Sequence, residues 1–212
     1  MDYVEFFFRW GHLLFGITWI GMLYYFNFVQ GGYFKAATPE ALADAKAKLA
    51  PSALWWFRWG AMFTFLSGVV LLGLIGQRVN GFITIGALLG TFMFLNVWLV
   101  IWPAQQIVLG MKSGDAAAAG AKALLASRTN TLFSGPMAMF MLASFHNFGG
   151  AQAGQPLSAN ISLGFWISVA IVLALEANAL FGKQGPMASV KGVIHCSLAL
   201  ALILGATLQF CP

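Results

Sequence analysis

The sequence predicts an all-α fold, a single polytopic membrane domain of about six transmembrane helices. Three observations carry that expectation. The 212 residues are 60% hydrophobic and only 8% charged, against about 25% charged in an ordinary soluble domain. Six apolar stretches each approach the roughly 20 residues needed to cross a bilayer: about 4–30, 54–76, 81–106, 129–149, 161–182 and 187–210. The basic residues are distributed unevenly between the two sets of connections.

The first stretch begins after Met1-Asp2-Tyr3-Val4-Glu5. That start is acidic where a signal peptide is basic, and the apolar run behind it is too long for a signal core. The first helix is therefore expected to be retained. Between the first two stretches lies KAATPEALADAKAKLAPS, a polar Ala-rich segment that predicts a short surface helix capped near Thr38-Pro39. KSGDAAAAGAKALLASR, before the fourth stretch, reads the same way. Gly11, Gly16 and Gly21, and GALLG at 86–90, offer small residues for close helix contact. Cys196 and Cys211 fall fifteen residues apart on one predicted helix, roughly 22 Å at about 1.5 Å per residue. A disulfide is excluded at that separation.

Orientation follows from lysine and arginine. Lys35, Lys46, Lys48, Arg58, Lys112, Lys122, Arg128, Lys183 and Lys191 collect on one side, and Arg9 and Arg78 on the other. Nine against two turns the first side to the cytoplasm and both termini outward, to the periplasm of a bacterial inner membrane. Trp10, Trp55, Trp56, Trp59 and Trp102 fall near span ends, where interfacial aromatics sit. The net charge of +5 comes without a basic run, so nucleic acid is not an expected partner and the lipid bilayer is.

Ionisable residues within spans are expensive and become functional candidates. His12, in the first span, and His146, at the outer end of the fourth, fall in the same outer half on antiparallel helices. Two neutral imidazoles at one depth suit the axial positions of a b-type haem iron. Arg9, at i−3 from His12, could meet a propionate, and Asn147 could support His146. Each histidine could instead hydrogen-bond a neighbouring helix. Zinc would lack ligands, because Glu5 is the only carboxylate nearby. In the inner half, Glu176 and His195 stand at matching depth on a hairpin turning near Gly185-Pro186. A structural pair there competes with a proton or quinone site, to which Asn96 contributes; Gln105, Gln106 and Asn130 point toward the same side.

Four blocks, RWGHLLFGITWIGMLYYFNFVQ, LWWFRWGAMFTFLSGVVLLGL, IGALLGTFMFLNVWLVIWPAQQ and NTLFSGPMAMFMLASFHNFG, resemble in order the membrane domain of bacterial cytochrome-c-linked urate oxidase. The resemblance covers most of residues 9–149 and is weaker after 161. It implies a membrane redox protein that hydroxylates urate and passes electrons to a cytochrome c domain, with His12 and His146 on family histidine positions. Two further histidine positions of the family hold Thr84 and Thr129, and no CxxCH follows. The expectation is thus a short form without the cytochrome domain, binding haem b and moving electrons. A urate-oxidising enzyme using a separate cytochrome c is the alternative, with Arg9, Arg58, Asn96 and Gln105 to recognise substrate. A cofactor-free accessory subunit of a respiratory or photosynthetic complex is the other.

Overall fold

The computed structural model describes residues 3–146, 157 and 161–211. Its long helices are α1 (Tyr3–Tyr24), α4 (Ala50–Ile75), α5 (Gly81–Leu95), α7 (Ala116–Ala143), α8 (Leu163–Phe181) and α9 (Val190–Phe210). Shorter helices α2 (Gly31–Ala36), α3 (Pro39–Asp44) and α6 (Trp102–Val108) continue or join them. The all-α expectation holds, and among the described residues five helical runs are apolar and long enough to cross a membrane: Tyr3–Ala36, Pro39–Arg78, Gly81–Val108, Leu163–Phe181 and Val190–Phe210. The protein is a multi-pass helical bundle built for a lipid bilayer. Many large apolar side chains on its surface, Leu99, Leu163, Leu202 and Phe181 among them, are exposed as lipid-facing residues are.

Two connections differ from expectation. Thr38 does cap α3, accepting from the Ala41 amide at 3.4 Å, with Pro39 in the first turn. The segment does not then end as a separate surface helix; a widened π-type turn at Ala45–Leu49 carries it straight into α4. Likewise Asp115 caps the Ala-rich segment through the Ala117 and Ala118 amides, and that segment is the first half of α7. Alanine propagates a helix well, and Pro51 falls in the first turn of α4, directly after the widened turn.

Side-chain contacts fix the directions. Gly60 of α4 meets Trp19 of α1, and His12 meets Ser67, so α1 and α4 run antiparallel. Gly86 and Gly90 of α5 meet Met141 and Met137 of α7, again antiparallel. Gly135 meets Ser197 and Gly205 meets Met139, so α7 and α9 run parallel. The GALLG glycines thus do make a helix contact, as does Gly16 against Thr64, whereas Gly21 has nothing near it.

The centre of the bundle is α7. It packs against α1, α5, α6, α8 and α9, and residues 128–134 are all buried. A helix buried through seven consecutive residues is covered on every side. Five of the seven are polar: Arg128, Thr129, Asn130, Thr131 and Ser134. This explains why α7 is absent from the runs apolar enough to face lipid: its neighbours shield it, so it can carry polar groups that lipid would not accept.

Close approach around α7 depends on small residues. A side chain at Gly164 of α8 would sit 2.1 Å from the Thr207 carbonyl oxygen of α9. Gly164→Val should therefore destabilise the fold by about 1–3 kcal/mol through forced separation of α8 from α9. Gly21→Ala, in open space on α1, should be neutral or slightly stabilising. Thermal unfolding in detergent checks both; equal midpoints for the two variants would contradict the packing described.

Candidate functional site

Two polar centres lie within the bundle. The first joins the start of α1 to the ends of α4 and α7. Glu5 Oε1 accepts from Arg9 Nε at 3.0 Å and Nη2 at 2.7 Å, and Oε2 accepts from Arg78 Nη2 at 2.8 Å. One buried carboxylate thus holds both cations of this end. The Arg9 guanidinium also lies 4.4 Å from the ring centre of Phe145, the residue before His146. Arg9 is accordingly already paired, and a propionate would have to share it with Glu5.

One turn further in, His12 Nδ1 lies 3.1 Å from Ser67 Oγ. That hydroxyl donates to the carbonyl oxygens of Phe63 at 2.6 Å and Thr64 at 3.0 Å. Ser67 has one hydroxyl proton for these acceptors; with that proton on either carbonyl, His12 Nδ1–H donates to the serine oxygen and Nε2 keeps its lone pair. Gly68 makes room, since a side chain there would come 3.1 Å from His12 Cε1. His146 sits in the turn closing α7, its amide bonded to the Leu142 carbonyl, and its ring is exposed. Asn147 lies outside the described residues.

The second centre is in the middle. Asn96 Nδ2 donates to Asn130 Oδ1 at 3.0 Å and to Glu176 Oε2 at 3.1 Å, and Asn130 Nδ2 donates to the Met93 carbonyl at 2.9 Å. Helices α5, α7 and α8 are thereby tied together through three buried side chains. Asn96 opens a widened π-type turn, Asn96–Ile101, of the kind that often marks a functional site. The anticipated Glu176–His195 pair is not made. Gly164 against Thr207 sets a register that does put Glu176 and His195 at one level, twelve residues along each helix. Glu176 turns inward to Asn96, while His195 faces out of the bundle.

Several polar residues were given no role by sequence reasoning. Tyr24 and Ser134 hydroxyls lie 2.9 Å apart, and Asn27 Nδ2 donates to Ser127 Oγ at 2.8 Å, joining α1 to α7. Arg128, counted in the sequence as a loop cation, is buried, and its Nε and Nη1 have no partner among the described residues. Arg58 behaves as expected of an interfacial cation, lying 3.8 Å from the ring centre of Trp102. The only sequence signal for these contacts was the run of polar residues, RTNT, entering the fourth apolar stretch.

Thr84 and Thr129 donate to the carbonyls of Asn80 and Leu125 on their own helices. Among the described residues, no three histidine, cysteine or acidic side chains gather as a metal site.

Comparison with protein families matches residues 74–172 to the family described as urate oxidase N-terminal. The matched segment runs from the end of α4 through α5, α6 and α7 into α8. It includes Asn96, Asn130 and His146 and stops short of Glu176 and His195; His12 precedes it. The likeness therefore covers the central network's α5 and α7 members and just under half of the chain. Comparison with curated proteins and with solved structures gives no match.

The central network makes a distinction between substitutions. Asn130→Leu removes the acceptor of Asn96 and the donor to Met93, and should destabilise by about 1–3 kcal/mol, the usual range for stranded buried groups. Glu176→Gln retains an amide oxygen for Asn96 to bond and should unfold nearly as the native protein does. Denaturant titration in mixed micelles compares them, and similar losses in both would show that the network does not hold the helices.

Proposed function

We propose that this protein is a b-type haem protein of the bacterial inner membrane that moves electrons, and that His12 and His146 would hold the haem iron. The observation that carries the reading is the contact of His12 Nδ1 with Ser67 Oγ at 3.1 Å. A hydroxyl on one ring nitrogen with the other left over is the arrangement by which an outer partner orients a ligating imidazole. His146 follows Phe145, which packs on Arg9 one turn from His12, so the second imidazole stands at the same end of the bundle. The iron would supply a one-electron couple. The chain would supply the imidazoles, and Arg9 and Arg78 the positive charge at the edge, with Glu5 offsetting part of it.

Six crossings serve this reading. Five are apolar by composition, and α7 is the sixth, crossing inside the others. With the nine basic residues cytoplasmic, the Glu5 end and both termini face the periplasm, where a cytochrome c or a larger respiratory or photosynthetic complex could exchange electrons. Asn96 and Glu176 would then serve proton movement between helices, without His195.

The family match supports a second reading, urate oxidation with electrons passed to a separate cytochrome c. Optical spectra distinguish the readings. Reduced protein from haem-replete membranes should show b-type bands that His12→Ala and His146→Ala abolish and His195→Ala retains. Ser67→Ala should weaken haem affinity by about 10–100-fold, the range for an outer partner of a ligand. Reduction of the bands by urate would select the enzyme, and a protein without bands would favour the cofactor-free accessory subunit.

A further inference from the structure

Arg128 is 8% exposed, and among the described residues its Nε and Nη1 are sealed without a partner, whereas Nη2 is not sealed. The described carboxylates are engaged elsewhere or exposed. Glu5 holds Arg9 and Arg78, Asp44 pairs with Lys48, and Asp115 caps the start of α7. Glu176 accepts from Asn96, and Glu40 lies exposed in the first turn of α3. The sixth acid, Asp2, immediately precedes α1 in sequence. A guanidinium stays charged in a protein, and a cation among spanning helices without a counter-charge is costly. Its anion must come from outside the chain.

The register of α7 against α9 places this cation. Gly135 meets Ser197 and the two helices run parallel. Arg128 lies seven residues before Gly135, about two turns on the same face, and is therefore level with Val190, where α9 begins. Ahead of Arg128 that side of α7 is uncovered, since Ala121 and Leu124 are exposed. A helical side chain leans toward the N-terminus of its own helix, so the guanidinium leans toward the uncovered end. One turn the other way, Leu132 lines a groove of about 610 Å³ between α7, α8, the turn at Gly185–Ala188 and α9. Leu175, Leu200 and Ile203 continue its apolar wall, and Asn178 and Lys183 make its polar end. Ile203 is 52% exposed, so the groove is open to lipid along α9.

An apolar groove that ends in cations fits a molecule with an acyl chain and an anionic head. We propose that it holds an anionic phospholipid, the chain against Leu175, Leu200 and Ile203 and the phosphate between Lys183 and Arg128. Basic pockets between spanning helices take acidic headgroups in this way. A zwitterionic lipid carries its own cation, which both residues repel, so the site selects net negative charge. Nothing in it depends on a haem at the other end of the bundle.

Native mass spectrometry of the delipidated full chain, titrated with phosphatidylglycerol or phosphatidylcholine, tests this. Phosphatidylglycerol should bind more tightly by about tenfold or more, as two cations acting on an acidic headgroup imply. Arg128→Gln and Lys183→Gln should each cut that preference severalfold. Lys112→Gln, the same loss of charge on the exposed connection before α7, should leave it unchanged. Ala199→Trp, which fills the groove, should weaken binding of both lipids. Lys183 is exposed, so its variant keeps the test valid should Arg128→Gln not fold. Equal affinity for the two lipids, a preference that survives Lys183→Gln or falls equally in Lys112→Gln, or binding untouched by Ala199→Trp would overturn the proposal. Displacement of the lipid by inorganic phosphate at equal concentration would overturn it too, marking a site for a soluble anion.

Discussion

Inside a bilayer no water is available to a polar group, so each one on a spanning helix must find its partner within the protein or pay several kcal/mol. The central helix α7 concentrates that constraint. Asn130 meets it through Asn96 and the Met93 carbonyl, Ser134 through Tyr24, and Ser127 through Asn27. These bonds reach the α1 and α5 runs, and together with the Asn96–Glu176 bond they prescribe how α1, α5 and α8 are rotated about α7. Apolar packing brings helices together but discriminates poorly among rotations; the amides and hydroxyls choose one. The glycines of α5, α8 and α9 then allow the backbones close enough for those short side chains to reach.

The same logic separates the two ends. At one, Glu5 gathers Arg9 and Arg78, and the histidine behind them lies against Ser67. At the other, Arg58 lies on Trp102, and Lys46 is the one charged residue lining a largely apolar cavity. Buried polar atoms without a partner among the described residues occur along the whole bundle, Trp19 Nε1, Trp98 Nε1 and Gln209 Oε1 as well as Arg128 Nε.

Composition and spacing made the membrane bundle, the Thr38-Pro39 cap and the polar candidates legible. His12, Asn96 and Glu176 all stood out as exceptions in apolar runs. Depth was legible too, since counting from the hairpin turn levelled Glu176 with His195. Azimuth was not. Which way a side chain points depends on helix rotation, and two side chains at one height can face opposite directions, as these do. Nor could the sequence reveal that α7 is central, because the polar residues that suit it for the centre also weaken its resemblance to a lipid-facing span. Arg128 and Asn27 were obscured for the same reason: their importance comes from the neighbours that cover them.

The widened turns at Tyr25–Gln30 and Asn96–Ile101 have an effect on phase. One extra residue in a turn advances the helical wheel by about 100°, so the stripes before and after it belong to different faces. In the first run, the stretch ahead of the turn lies along α4, and Asn27 within it reaches across to α7. In the second, Asn96 looks into the bundle while Ile101 beyond it lines the cavity. Each rod thereby works as two keys cut at different angles on one shaft. Shortening either turn by a single residue would leave the helix intact yet misalign everything that follows it, so these are positions where length is constrained more tightly than residue identity.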